Sequence, residues 1–396
     1  LRYTLKEVQP DGTIPYGITG HGMVMPGPFA PSDLQLWVLW LAAEYVLATR
    51  DTAFLEESLP TYPLYGPTAG KETVRGLLAR CYRGLTETIG VGEHGLLRLS
   101  NGDWNDGAVI GHVPKAAHPA VRRQAESVLN AAMACYVLDH YARLLAYTGQ
   151  APAAEAARRF VQGQREAVRA QWAGRWFRRA WLTPELGWLG DDPLWLEPQP
   201  WAIIGGAATA EQARTLAAAI DELVRRPSPI GAMLLSAPIA AIETSPGLLT
   251  NGGVWPSING TLIWALAQVD GALAWDEWRK NSLACHAEAY PDVWYGIWSG
   301  PDVYNSALSE YAGQTSFEER WLRPGAPPQA EPGLFGGIDW TDFPVMNMHP
   351  HAWPLYTAAK LLGLEFTPEG LTLAPALPQR EYRVTSPLLG LSRSEQ

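Results

Sequence analysis

The chain has 396 residues, 47% hydrophobic and 18% charged, which is enough apolar mass for one large core or two smaller ones and far from a disordered composition. The formal net charge is −10 with the basic residues scattered, so neither nucleic acid nor an anionic membrane surface is expected as a partner. No apolar run approaches the roughly 18 to 20 residues that span a bilayer. Cys81, Cys135 and Cys285 lie far apart without metal-ligand spacing and read as buried free thiols. The 18 tryptophans offer flat apolar faces that suit either a core or the CH faces of sugar rings. The chain opens at Leu1 with no recognisable signal peptide, which together with the odd cysteine count favours a cytoplasmic location over a secreted one.

In chain order, Ser32 is placed to cap a helix over 33–50, and Gly70 precedes a second over 71–90. The run 121–149 is strongly helical and closes on Gly149. Helices are then expected at 152–172, 209–226, 258–270, 274–289 and 351–363. Those at 33–50 and 258–270 are apolar on wide faces and must be covered on most sides. Long segments such as 183–201 and 290–306 separate the helices and hold many aromatic and acidic residues, a composition that usually carries function. Eight or more helices in antiparallel pairs, with decorated loops at one end, predict an all-α toroid over 1–363. From 364 the character changes, and 366 FTPEGLTLAPALP 378 reads as the start of a C-terminal β segment.

The stretch 101 NGDWNDGAVIG 111 sets two carboxylates, Asp103 and Asp106, around Trp104 in a loop where none of them helps bury a core. At this motif the chain resembles glycoside hydrolase family 94, the inverting cellobiose and chitobiose phosphorylases and their cyclic β-1,2-glucan synthase relatives. The family's SDDLLW is similar to 32 SDLQLW 37, its GDxxFLDE to 50 RDTAFLEE 57 and its GDWNDGM to 102 GDWNDGA 108. Its GESVW resembles 125 AESVL 129, followed by 176 WFRRAWL 182, 198 PQPWAIIGGAA 208, 251 NGGVWPSINGTLIWALAQ 268 and 302 DVYNS 306. The ordered series covers most of residues 30–375. The resemblance implies an (α/α)6 barrel; the family's large N-terminal β-sandwich has no counterpart here, as in a truncated or divergent form. It also implies Asp106 as the general acid and Trp104 as a donor-sugar contact. No cofactor and no metal are implied.

The departures concern phosphate. The family's arginine just before SDD is absent from 27 GPFAPSD 33, and its Thr-Gly-Ser turn is absent from 336 GGIDWTDFPVMNMHPHAW 353. Asp339 and Asp342 appear there instead, where a carboxylate would repel phosphate but could deprotonate water. Inverting hydrolysis needs one protonated carboxyl at the leaving oxygen and one carboxylate activating water on the opposite face. An inverting phosphorylase needs only the acid. The expected reading is therefore an inverting glycoside hydrolase on β-linked gluco-oligosaccharides or β-glucosides, with Asp106 as acid, kept protonated by burial against indole, and Asp342 as base. Asp339, Asp302 and Glu310 are rival bases. Asp33 and Glu126 are expected at the sugar from the family pattern, against plainer roles as a second helix cap and a solvated helix face. Trp255, Trp298 and Trp340 are candidate sugar platforms, and His349 and His351 candidate substrate contacts. Asp103 reads as structural, Asn105 and Gly107 as turn-makers. Two alternatives stand beside the hydrolase: a phosphorylase holding phosphate by other means, and a non-catalytic carbohydrate-binding or structural fragment.

Overall fold

The computed structural model describes residues 1–18, 24–25, 30–61, 70–105, 108–242, 244–293, 300–315, 349–379, 381–385 and 390–394. It is mostly helical, as the sequence predicts. Among the described residues, five helices stand side by side in chain order: α1 (Leu34–Thr49), α3 (Val128–Tyr147), α5 (Pro198–Ile204), α7 (Pro256–Ala267) and α9 (His349–Leu361). Amphipathic helices cover them from outside, α2 (Val74–Arg83) on α1, α4 (Ala151–Arg169) on α3 and α8 (Gly271–Lys280) on α7. α6 (Ala210–Ile220) follows α5 and is closed at its start by a reciprocal Thr209–Gln212 capping box.

The division into layers follows from side-chain chemistry. α7 is apolar around its whole circumference and buried along almost all of its length, so it needs partners on every side. α4 carries Ala154, Ala157, Val161 and Val168 on one buried stripe and charge on the other, and needs only one. Each of the five inner helices gives one aromatic residue to a layer across the middle: Trp40, Tyr136, Trp201, Trp264 and Tyr356. Trp40 stacks on Trp264 at 6.0 Å between ring centroids and meets Trp201 edge-on at 5.5 Å, while Tyr136 meets Trp264 edge-on at 4.7 Å. Edge-to-face and offset contacts of this kind are favoured by the ring quadrupoles.

Three expectations about elements are corrected. The helix expected over 71–90 begins at Val74, because Gly70–Thr73 pairs antiparallel with Ser58–Thr61 and Thr73 then caps the helix through Gly76 N at 3.1 Å. The continuous helix expected over 121–149 is broken at 125–127, where Glu126–Ser127 pairs with Ala180–Trp181, which in turn pairs with Trp188–Leu189. The helix expected over 274–289 stops at Lys280 and restarts as Leu283–Ala289 under a Ser282 cap. α5 was not foreseen. It is seven residues long with two prolines in its first turn, too short for a periodic signal, yet all of it is buried. After Leu361 two short hairpins follow, Glu365–Thr367 with Gly370–Thr372 and Tyr382–Thr385 with Gly390–Arg393. The first is tied to the helices by Arg143 to Glu365 at 2.7 Å and Arg50 to the Thr367 carbonyl at 2.7 Å.

Candidate active site

The loop that bears the DWND motif is fixed by buried charge. Arg179, fully buried, donates from Nη1 and Nη2 to Asp103 Oδ2 and Oδ1 at 2.8 and 2.6 Å, a two-pronged contact that sets the carboxylate's orientation. Ser127 Oγ donates to Asp103 Oδ2 at 2.6 Å and accepts from Asn130 N at 3.1 Å, so the cap of α3 also holds the loop. The Asn105 amide donates to Glu197, whose carboxylate lies 3.5 Å from Arg179 Nε. Burial pushes the Glu197 carboxyl above the usual carboxylate range, against the opposing pull of Arg179. Asp103 is thus placed as its structural reading expects. Asn105 does more than turn the chain.

Ser32 does not cap α1. Its hydroxyl donates to the Leu99 carbonyl at 2.9 Å and accepts from Asn130 Nδ2 at 2.8 Å, because the start of α1 packs against the motif loop rather than facing water. Asp33 then precedes α1, and its Oδ2 accepts from Trp37 Nε1 at 2.9 Å.

A cavity of about 370 Å³ opens at the N-terminal ends of the inner helices, beside this loop. Among the described residues its walls include five indoles, Trp37, Trp104, Trp201, Trp255 and Trp353, and three carboxylates, Asp33, Asp103 and Asp302. Trp104 and Trp255 meet edge to face at 5.1 Å, with Trp255 Nε1 held by the Leu249 carbonyl at 2.9 Å. Val254 and Tyr304 exchange backbone hydrogen bonds of 2.8 and 3.0 Å, which carries Trp255 and Asp302 to the same wall. Flat apolar walls with carboxylates between them suit a sugar: indoles take the CH faces and carboxylates the hydroxyls.

The structure therefore brings together Asp33, Trp104, Trp255 and Asp302 of the residues singled out by sequence. Glu126 is not at the cavity. Its fully buried carboxylate accepts from the backbone amides of His94 and Leu96 at 3.2 and 3.0 Å and lies 2.9 Å from His94 Nδ1, so it organises the 92–96 turn. Glu310 and His351 are exposed and do not line the cavity. Asp106, Trp298, Asp339, Trp340 and Asp342 lie outside the described residues, as does the side chain of His349, the first residue of α9. Trp37, Trp201 and Trp353 were missed. The signal for Trp37 was present, four residues after Asp33 on the same helix face.

The match to a family model decides the kinship: residues 29–282 fit the catalytic domain of the glycosyl hydrolase 94 superfamily. The chain belongs to that superfamily. Among family members it is similar to solabiose phosphorylase of Paenibacillus borealis, with 29% identity over 271 residues, 66% of this chain and 32% of that protein. It is also similar to 3-O-beta-D-glucopyranosyl-beta-D-glucuronide phosphorylase of the same organism, 26% identical over 320 residues, 74% of this chain and 36% of the relative. The chain thus spans about a third of the length of the curated relatives it matches. In fold it is similar to the GH63 mannosylglycerate hydrolase of Thermus thermophilus in complex with glucose, with a TM-score of 0.55, 12% identity and coverage of 79% and 82% of the two chains.

Proposed function

We propose that the cavity is the active site of an inverting glycoside-active enzyme whose substrates are β-linked gluco-oligosaccharides or β-glucosides. The observation that carries this is an indole-walled cavity abutting the buried-charge clamp that holds residues 102–105, directly before Asp106. The helical part, 1–363, acts as an (α/α)6 barrel to which the described residues contribute five inner helices, and the strands after 364 begin a further β segment. Asp106 protonates the leaving oxygen, and Trp104 walls the donor sugar.

The nucleophile in this reading is water, activated by Asp342 with Asp302 as the rival already at the cavity. Its support is the sequence: the phosphate-binding arginine and Thr-Gly-Ser turn are missing and two carboxylates stand in their region. Phosphorolysis is the second reading, favoured by the names of the two curated relatives. Aryl β-glucosides and β-gluco-oligosaccharides, assayed with and without millimolar phosphate while the anomer is followed by NMR, separate the two. Hydrolysis predicts a phosphate-independent rate and free sugar released first as the α-anomer. A sugar 1-phosphate as main product establishes phosphorolysis, and no turnover under either condition leaves the carbohydrate-binding alternative. Asp342→Ala and Asp302→Ala, each tested for azide rescue with inverted configuration, assign the base.

A further inference from the structure

The far end of the inner helices carries a second cavity, of about 390 Å³, that shares no lining residue with the first. It is lined by later residues of the same helices, Tyr136 and Arg143 of α3, Trp264 of α7 and Lys360 of α9, closed by the strand that contains Glu365. Lys360 is only 7% exposed, yet its ammonium has neither a hydrogen bond nor an ion pair among the described residues. Its neighbours are rings: Nζ lies 4.5 Å from the centroid of Trp264 and 5.0 Å from that of Tyr356. Among the described residues the buried hydroxyl of Tyr136 is likewise without a partner.

The two carboxylates of the lining do not supply the missing acceptors. Arg143 engages both, Asp139 through Nε and Nη2 at 3.2 and 3.1 Å and Glu365 through Nη1 at 2.7 Å. Glu44, outside the lining, is the other carboxylate whose charge reaches Lys360, and it lies 2.9 Å from His140 Nε2. Arg165 adds a third cation, its Nε on the Gly205 carbonyl at 2.8 Å. Three cations of the lining face two anions, with Glu44 beyond the lining as a third carboxylate near Lys360, and the ammonium of this largely buried side chain keeps its donors unused among the described residues. Cation–π contact offsets part of its desolvation but supplies no hydrogen-bond acceptor.

We propose that this cavity binds a small oxyanion, a carboxylate or phosphate group, between Lys360, Tyr136 and Arg165, at a site separate from the glycoside cavity. The competing account is that Lys360 and Arg143 merely complement the negative C-terminal ends of α9 and α3, with water completing their hydrogen bonds. That account predicts no saturable anion binding.

Isothermal titration of the full chain with sulfate, and separately with acetate, at constant ionic strength in chloride tests the proposal. Expected is one saturable site whose affinity falls at least tenfold in Lys360→Met, which keeps the stem over Trp264, and severalfold in Tyr136→Phe, while Asp33→Asn leaves it unchanged. A thermal melt of each variant confirms that it is folded. The proposal is overturned if binding is not saturable, if Tyr136→Phe and Lys360→Met both bind as the parent does, or if Asp33→Asn abolishes binding and so moves the anion to the glycoside cavity. Sulfate bound but not acetate assigns a phosphate-like ligand; both bound assigns the shared oxyanion chemistry. Because the readout is binding and not turnover, its failure is independent of the fate of the glycoside reading.

Discussion

Trp104 directly precedes Asn105, whose side-chain amide donates to the buried Glu197 carboxyl, so this wall of the cavity stands next in the chain to a residue anchored in the core. The neighbouring Asp103 is held in the same way, Oδ1 accepting from Arg179 and Oδ2 from both Arg179 and Ser127. If Asp106 is the acid, Asp106→Asn should retain the fold and substrate affinity but lose about 10² to 10⁴-fold in turnover, the usual size of general acid catalysis. Dinitrophenyl glycosides, whose leaving group needs no proton, should lose much less. Equal losses on both substrates, measured side by side, would remove Asp106 from the role. Glu197 gives a pH-dependent prediction. Its carboxyl is raised above the unfolded value near 4.5 by burial, so the folded state holds its proton more tightly and stability falls as pH rises through the folded value. Glu197→Gln carries no such charge and can still accept from Asn105. Relative to the parent, its stability should therefore improve between pH 4 and pH 7 in urea unfolding, and a flat or opposite trend counts against the assignment.

At the scale of elements, the inner helices approach more closely than ordinary side chains permit. A Cβ at Gly260 of α7 would come 2.5 Å from the ring of Trp353 on α9, which is a wall of the cavity proposed as the active site. Gly260→Ala gains helix propensity of about 1 kcal/mol but must push that indole aside. The two effects oppose each other in stability and not in the site. The expected result is a melting temperature changed by a few degrees at most and a KM raised severalfold, with kcat less affected; an unchanged KM would place Trp353 outside the substrate's reach. The break of the helix at 125–127 belongs to the same scale. Sequence periodicity runs straight through it, because Ala125, Val128 and Leu129 continue the apolar pattern. What stops the helix is tertiary: the Glu126 carboxylate is drawn to backbone amides of the 92–96 turn, and the 126–127 backbone pairs with 180–181.

At the largest scale, the aromatic layer joins the five described inner helices and lies between the two cavities, with Trp201 facing one and Tyr136 and Trp264 the other. Trp40 touches a ring from each of the other four inner helices, Tyr136, Trp201, Trp264 and Tyr356. Trp40→Ala should cost about 3 to 5 kcal/mol in unfolding free energy, the range for truncating a large buried aromatic. A loss under about 1 kcal/mol by denaturant titration would mean the layer is not what holds the inner helices together.

The sequence by itself determined the mostly helical class, the positions of the long helices and the superfamily, since these rest on local periodicity and on an ordered series of motifs. It also pointed to Trp104, Trp255, Asp33 and Asp302, which stand within or beside those motifs. Only the tertiary structure decided which acids and indoles share a cavity. Glu126, read as a sugar contact, and Glu310, read as a rival base, are placed elsewhere, while Trp201 and Trp353 enter. The physical reason is the same in each case. A side chain's role depends on where helices distant in sequence bring their ends together, and a carboxylate with a backbone amide in reach is indistinguishable, in sequence, from one facing a substrate.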